Sequence, residues 1–460
     1  MNYLYLFLVL SFISLNKCII EIPIEPIKVK GFTKYPGLNF KGPIKINCTN
    51  CKFSNKTSIL IDQGNSFIND NFLFVAKVQI GSRSQEFKLL LDTGSYIIWV
   101  PGKGSEDTYA MKNKFDPYSS TTAQNLYRTF NQQYGTGSCE GYYYSDYFKY
   151  VKDKQFQVVF GVAQKTLFNV DADGIIGLAH FYASTDYSFI HRLKYHKIID
   201  SLSFSLKFGK TINSGDSGSL FLGKHKDFSD DDTVSCPLLT TGTDINLIHW
   251  GCEISSFSVK NSNIELKSSS KSFKMVFDTG TNFLILPLNY YNDIKNDLIK
   301  LNCGVATDET QKAFSIICPK TVRELPDVRF EINGNYLTIP HNYIFVEEEE
   351  YPQYYFSRIL FEENKNIGYI IGSPFFFAFH TLFDKENEQL HFYPESPEFL
   401  EKGSEFSEKG SDTLTIILII VIIIVLFLIF GYLIYRCYLW RKAKNELNDI
   451  PASNYNYNYI

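Results

Sequence analysis

From about Ile61 to Pro397 the hydrophobic positions come in short runs, separated by clusters of Gly, Asn, Asp and Ser. Phe72 to Ile80, Phe87 to Leu91, Phe156 to Phe160, Leu202 to Phe208, Phe273 to Phe277 and Tyr369 to Ile371 are of strand length, either alternating or apolar throughout. Bounded by turn formers, they predict β-strands. Tyr187 to Ile199 and Tyr290 to Leu301 best carry the 3.6-residue period of a helix. The fold class that follows is mainly β, largely antiparallel.

Two apolar segments flank this pattern. Thr413 to Tyr435 is uncharged and almost wholly Leu, Ile, Val and Phe. As a helix it would reach roughly 35 Å, enough for a hydrocarbon core of about 30 Å. Arg436, Arg441, Lys442 and Lys444 follow it, and a polar, on balance acidic stretch precedes it. The positive-inside rule places such a C-terminus in the cytosol. Leu4 to Ile13 has the length of a signal-peptide core, although no Lys or Arg precedes it and Asn16-Lys17-Cys18 is not a small-residue cleavage site. Together the two predict a single-pass type I membrane protein, with most of the chain in a secretory or endosomal lumen or at the cell surface.

Composition sharpens this picture in three ways. With 45% hydrophobic residues and a net charge of −4, the chain can bury enough surface to fold, which excludes disorder as its main state. A pI near 6.1 argues against a nucleic-acid binder. The 40 Phe and 31 Tyr, beside 3 Met and 3 Trp, suit pleated sheets.

Nine cysteines fit an oxidising compartment. Cys303 with Cys318 and Cys236 with Cys252 are the local pairs expected, while Cys48, Cys51 and Cys139 compete for what remains. No second CxxC or His pair accompanies Cys48 and Cys51, so zinc is not expected there.

One short pattern recurs. Leu89-Leu90-Leu91-Asp92-Thr93-Gly94-Ser95 and Met275-Val276-Phe277-Asp278-Thr279-Gly280-Thr281 each read as an apolar strand delivering an Asp into a tight turn. An echo follows each copy, Asp173-Gly174-Ile175-Ile176-Gly177 and then Tyr369-Ile370-Ile371-Gly372. A lone Asp-Thr-Gly is a common turn. Two copies 186 positions apart, each with its own apolar-apolar-Gly partner, predict two related lobes.

With these motifs the chain resembles the pepsin-like aspartic proteases over most of Ile61 to Pro397. The resemblance extends to Trp99-Val100-Pro101, to Tyr134-Gly135-Thr136-Gly137-Ser138 where the family has its flap, and to Phe383-Asp384. It implies a bilobal acid-protease fold, protein or peptide substrates, no cofactor or metal, and Asp92 and Asp278 as the catalytic pair. Two adjacent carboxyls cannot easily both be charged, so they share a proton. One then serves as base towards a water and the other as acid, and aspartic proteases are the standard case of such a pair. Around the dyad, Thr93, Gly94, Ser95, Thr279, Gly280 and Thr281 are expected as support. Gly94 and Gly280 let backbone approach, while Ser95 and Thr281 bond the outer carboxylate oxygens. Tyr134, Gly135, Thr136 and Trp99 are expected at the flap, with the Tyr134 hydroxyl in reach of the Trp99 indole.

Other chemistries find no matching pattern. There is no HExxH, His191 and His196 are five apart, and the turns near Ser217 and Ser219 lack GxSxG. Ser373 departs from the family, which commonly has Asp there. Asn47-Cys48-Thr49 and Asn55-Lys56-Thr57 are glycosylation sequons.

The expected organisation is a signal peptide over 1–18, a prosegment over 19–64, lobes over 65–243 and 244–397, a stalk over 398–412, a transmembrane helix over 413–435 and a cytosolic tail over 436–460. A monomer is expected. The rival expectation is an inactive binding or adhesion protein that keeps the fold, against which the intact dyad, its hydroxyl partners and the flap Tyr all argue.

Overall fold

A computed structural model describes residues 20–29, 44–47, 60–61, 71–107, 111, 113–135, 137–151, 154–168, 172–180, 187–209, 218–223, 233–239, 249–268, 272–308, 313–347, 352–362, 369–402, 429, 431–436 and 438–440. They fall into two compact units, Met1–Glu401 and Lys402–Ile460.

The first unit is built on sheets, as the short apolar runs predict. Phe273–Phe277 and Tyr369–Ile371 form strands with the expected bounds, and Phe72 to Ile80 and Phe87 to Leu91 lie in strands Asn71–Ile80 and Gln85–Asp92. The two helical periods are realised as Phe189–Tyr195 and as Leu288–Ile294 followed by a 3-10 turn at Leu298–Leu301.

The internal repeat is a repeat of topology. Ile175–Gly177 runs parallel to Gln85–Asp92 on one side and antiparallel to Trp99–Asp107 on the other. Tyr369–Ile371 lies in the same way between Phe273–Phe277, parallel, and Leu284–Pro287, antiparallel. The echo glycines follow from this threading. A Cβ on Gly177 would stand 2.5 Å from the Tyr96 backbone, and one on Gly372 2.3 Å from the Phe283 carbonyl. Only glycine fits where backbones approach so closely.

The halves do not remain separate sheets. Phe379–Asp384 and Gln389–Pro394, from the end of the second half, join the sheet of the first through Ser203–Lys207. Into the same sheet goes Ile20–Val29, between Gly218–Leu222 and Asn71–Ile80. Ile20, Ile22 and Ile24 are buried and Glu21 and Pro23 exposed, the period-two alternation of a half-buried strand. The segment expected as a prosegment thus begins as a built-in strand.

The phenylalanine excess fills the core where the halves meet. Phe204 stacks on Phe383 with ring centroids 4.7 Å apart, and Phe277 on Phe392 at 4.9 Å. Cys236 with Cys252 and Cys303 with Cys318 form disulfides, as expected from their spacing. Closing loops this short stabilises by about 3 kcal/mol each in the chain-entropy picture. Cys139 is a correction to the disulfide candidates. Its thiol is free and buried in an apolar cluster with Trp99, Phe130 and Phe168, and burial pushes its pKa well above that of an ordinary thiol. Cys48 and Cys51 lie outside the described residues.

In the second unit residues 431–436 are helical and exposed. No helix among the described residues is long and apolar enough to cross a membrane, and most of the run 413–435 lies outside them.

Candidate active site

Leu89, Leu90 and Leu91 are buried, and the strand they form ends by delivering Asp92 beside Gly177. Met275, Val276 and Phe277 deliver Asp278 just past the Phe277–Ile371 pair, where its amide donates to the Ile371 carbonyl at 2.9 Å. Both carboxyls are buried, Asp92 with 5% and Asp278 with 7% exposure.

The two turns are joined by a reciprocal set of hydrogen bonds. The Thr93 amide donates to Thr279 Oγ1 at 3.1 Å and the Thr279 amide to Thr93 Oγ1 at 3.0 Å. Each hydroxyl then donates across to the other half, Thr93 to the Phe277 carbonyl and Thr279 to the Leu91 carbonyl, both at 2.8 Å. Threonine suits this position because one small side chain both accepts and donates. The carboxyls are fixed symmetrically too. Gly94 N–H donates to Asp92 Oδ1 at 2.9 Å and Gly280 N–H to Asp278 Oδ1 at 2.8 Å. Ser95 Oγ donates to Asp92 Oδ2, and Thr281 Oγ1 to Asp278 Oδ2 at 2.7 Å.

Electrostatically the pair behaves as two like charges in a dry place. Burial, then the Asp278 charge, push the Asp92 carboxyl well above the usual carboxylate range, against the lowering effect of its Ser95 bond. Such a pair holds one proton between two groups.

The hairpin expected as a flap joins Gln124–Tyr134 to Gly137–Val151, with Tyr134 paired to Gly137 at its tip. The Trp99 indole donates to the Tyr134 hydroxyl at 2.9 Å, and Phe168 meets both rings edge-on. Burial, with Cys139 and Asp92 nearby, pushes the Tyr134 phenol up, so it stays protonated. Thr136 lies outside the described residues. Tyr134→Phe keeps the ring and removes the acceptor of this bond, a loss of about 1 kcal/mol. We expect kcat/KM for a peptide to fall roughly fivefold to tenfold, mainly through KM. Unchanged steady-state kinetics would show that this bond does not set the flap.

Ser373, where the family commonly has Asp, is fully buried. Its amide donates to the Thr281 carbonyl at 2.7 Å and its hydroxyl to Asn282 Oδ1 at 3.4 Å. The backbone bond beneath the second turn is therefore made without a carboxylate.

Sequence reasoning missed a second junction between the halves. Leu178 N–H donates to the Asp92 carbonyl, and the Leu178 carbonyl accepts from the Trp250 indole, both at 2.8 Å. His180 Nε2 lies 2.8 Å from the His249 carbonyl, and the His180 ring meets Trp250 edge-on at 4.7 Å. Trp250 was the only signal available, as one of 3 Trp in the chain.

Comparison with known proteins agrees with this geometry. The family model for eukaryotic aspartyl protease matches residues 73–394. Pepsin A of Gallus gallus is 26% identical over 331 residues, covering 70% of this chain and 84% of that protein. Probable vacuolar protease A of Arthroderma benhamiae (strain ATCC MYA-4681 / CBS 112371) is 28% identical over 305 residues, 63% of this chain and 72% of that protein. Pepsin-3 of Oryctolagus cuniculus is 24% identical over 397 residues, 83% and 97% respectively.

Proposed function

The chain belongs to the eukaryotic aspartyl protease family and is an aspartic endopeptidase; from that premise we propose that Asp92 and Asp278 are its catalytic pair and that it works anchored to a membrane. The observation that carries the catalytic reading is the mirrored set of bonds holding two buried carboxyls with one proton to share.

The chemistry follows from that proton. The ionised carboxyl takes a proton from a water, whose oxygen bonds to the peptide carbonyl carbon. The protonated carboxyl hydrogen-bonds the carbonyl oxygen as negative charge develops on it. Collapse of the tetrahedral species breaks the C–N bond, with a proton passing to the departing amine. The upward direction at Asp92 suits it to hold the proton at the start. Tyr134, lying over Trp99, would close the hairpin on an extended peptide and exclude water. Apolar side chains beside the scissile bond suit a cleft in so aromatic a chain.

The membrane part rests on sequence. The apolar run 413–435 with basic residues after it, and the apolar segment near the N-terminus, support a type I anchor with the catalytic unit luminal or extracellular. Residues 19–64 read as a prosegment, and any processing that removes Ile20–Val29 must replace or dispense with a strand paired on both sides.

Both parts are open to test. Full-length protein in detergent should cleave an unfolded protein substrate at acidic pH, giving new termini by mass spectrometry. Membranes washed with alkaline carbonate should keep the full chain and release one ending at residue 412. Recovery of the full chain in the wash would remove the anchor, and an absence of new termini at every acidic pH would remove the peptidase assignment of the dyad.

A further inference from the structure

The back of the hairpin expected as a flap carries a groove that the catalytic reading leaves unused. Along the strand Gly137–Val151 side chains alternate between two faces. Cys139 and Tyr143 pack against Trp99 and Phe130, on the side of Tyr134. Glu140, Tyr142 and Tyr144 therefore stand on the opposite face, where they line a groove of about 890 Å³ with Val162 and Ala163. Small-molecule sites measure about 300–1,000 Å³. Tyr118, from the 3-10 turn Pro117–Ser119, is a third tyrosine of the lining. Packing does not account for these rings, since Tyr118 is 96% and Tyr142 38% exposed. Beside them Tyr127 is 88% exposed and held at φ +53°, a backbone conformation that bulky residues rarely adopt. Its amide donates to Asn125 Oδ1 at 2.8 Å, and Asn125 Nδ2 donates to the Tyr144 hydroxyl at 3.2 Å. Aromatic side chains clustered in water mark a binding surface.

The polar lining narrows the choice of occupant. Lys165 stands opposite Glu106 on one side and Glu140 on the other, a row across three strands. Lys103 Nζ donates to Asp116 Oδ2 at 2.7 Å. The charges of the groove thus answer one another, with one carboxylate more than ammonium groups. A phosphate or sulfate ligand needs the reverse balance. Gly137–Val151 and Lys154–Leu167 are each paired on both sides, so the floor offers an extended peptide no free ladder to join. An acyl chain or an apolar helix needs aliphatic walls, and among the described residues only Val162, Ala163 and Pro117 bring such side chains to the groove. A neutral sugar meets all these conditions. The C–H face of a pyranose ring stacks on a tyrosine, while its hydroxyls both donate to carboxylates and accept from ammonium and amide groups such as Lys165 and Gln164.

We propose that this groove binds a neutral oligosaccharide, with Tyr118 and Tyr142 as stacking platforms and Glu140 and Lys165 as partners of its hydroxyls. Binding is non-covalent and involves neither Asp92 nor Asp278, so it stands or falls separately from the catalytic reading.

The test uses the full-length protein in a detergent without a sugar headgroup, titrated in turn with mannotriose, cellotriose and chitotriose. Saturation transfer from protein to sugar protons, followed by NMR, reads binding. At least one trisaccharide should bind with a Kd of about 1 mM or tighter, the transfer falling on its ring C–H protons. Tyr118→Ala and Tyr142→Ala should each weaken it about threefold to tenfold, whereas Tyr118→Phe, which keeps the ring, should restore it. Tyr195→Ala removes a ring that is also exposed, but in the helix Phe189–Tyr195 outside the groove, and should change nothing. Because the Tyr118 ring is almost wholly in water, its loss leaves the fold intact and its variant remains informative. No transfer to any of the three sugars overturns the proposal, as does unchanged affinity in Tyr118→Ala. Tighter binding of a sulfated trisaccharide than of its neutral counterpart overturns it too, because the charge balance of the groove would then not be what selects the ligand.

Discussion

Asp278→Asn is expected to lower kcat/KM by at least about 10³-fold without unfolding the protein. The amide is nearly isosteric with the carboxyl. Its oxygen can still accept from Gly280 N–H, held at 2.8 Å in the native turn, and its NH₂ can donate to Thr281 Oγ1. What disappears is the second titrating group, so the pair no longer holds a proton and a charge together. Stability should report the same change. Asp92 is raised in the folded state above its ordinary value of 3.8, so the folded protein binds a proton there that the unfolded chain gives up. That contribution is full below pH 3.8 and is lost as pH rises through the folded value. Wild-type Tm should therefore decline as pH rises above about 4 from this group, and the decline should flatten in the Asn variant, where Asp92 loses the charge that helps raise it. Calorimetry across pH with parallel peptide assays checks both. A variant with more than a tenth of wild-type activity would take Asp278 out of the chemistry.

Much of this site was legible because its signals are local. Each Asp-Thr-Gly sits at the end of a buried strand, and the run, the turn and the hydroxyl three residues on are contiguous in the chain. Even the second echo is a three-residue strand whose glycine is dictated by steric contact at 2.5 Å or less. What the sequence hid is long-range. The threonine bonds span 186 residues, and the Trp250 to Leu178 bond 72, and no periodicity reports such partners. Cys139 shows the same limit, since a free thiol is decided by what packs around it in space. Ile20–Val29 shows it in part. Its Ile20, Ile22, Ile24 alternation is local, but its partners Gly218–Leu222 and Asn71–Ile80 lie far along the chain.

The second large effect is expected from Gly94→Ala or Gly280→Ala, through the carboxyl of the opposite half. A Cβ on Gly94 would lie 2.6 Å from Asp278 Cγ and Oδ1, and one on Gly280 2.6 Å from Asp92 Oδ1. Contacts under 3 Å are not tolerated, so in each case the partner carboxyl must give way. Neither glycine has a positive φ, so alanine adopts the backbone without strain and gains slightly from a less flexible unfolded chain. Moving a buried carboxyl off its hydrogen bonds outweighs that gain and should cost about 1–3 kcal/mol of stability. Activity should not be spared, because a displacement of about 1 Å at reacting groups can cost roughly 10²-fold in rate. The control is Gly104, with φ +83° and nothing within 4 Å of an added Cβ. There alanine should lower stability by about 1 kcal/mol through backbone strain while leaving kcat/KM alone. Melting curves and steady-state assays on the three variants separate the two kinds of glycine. If Gly94→Ala keeps wild-type kcat/KM, the close approach of the two carboxyls is not what the reaction uses, and the water-activating role of the pair fails with it.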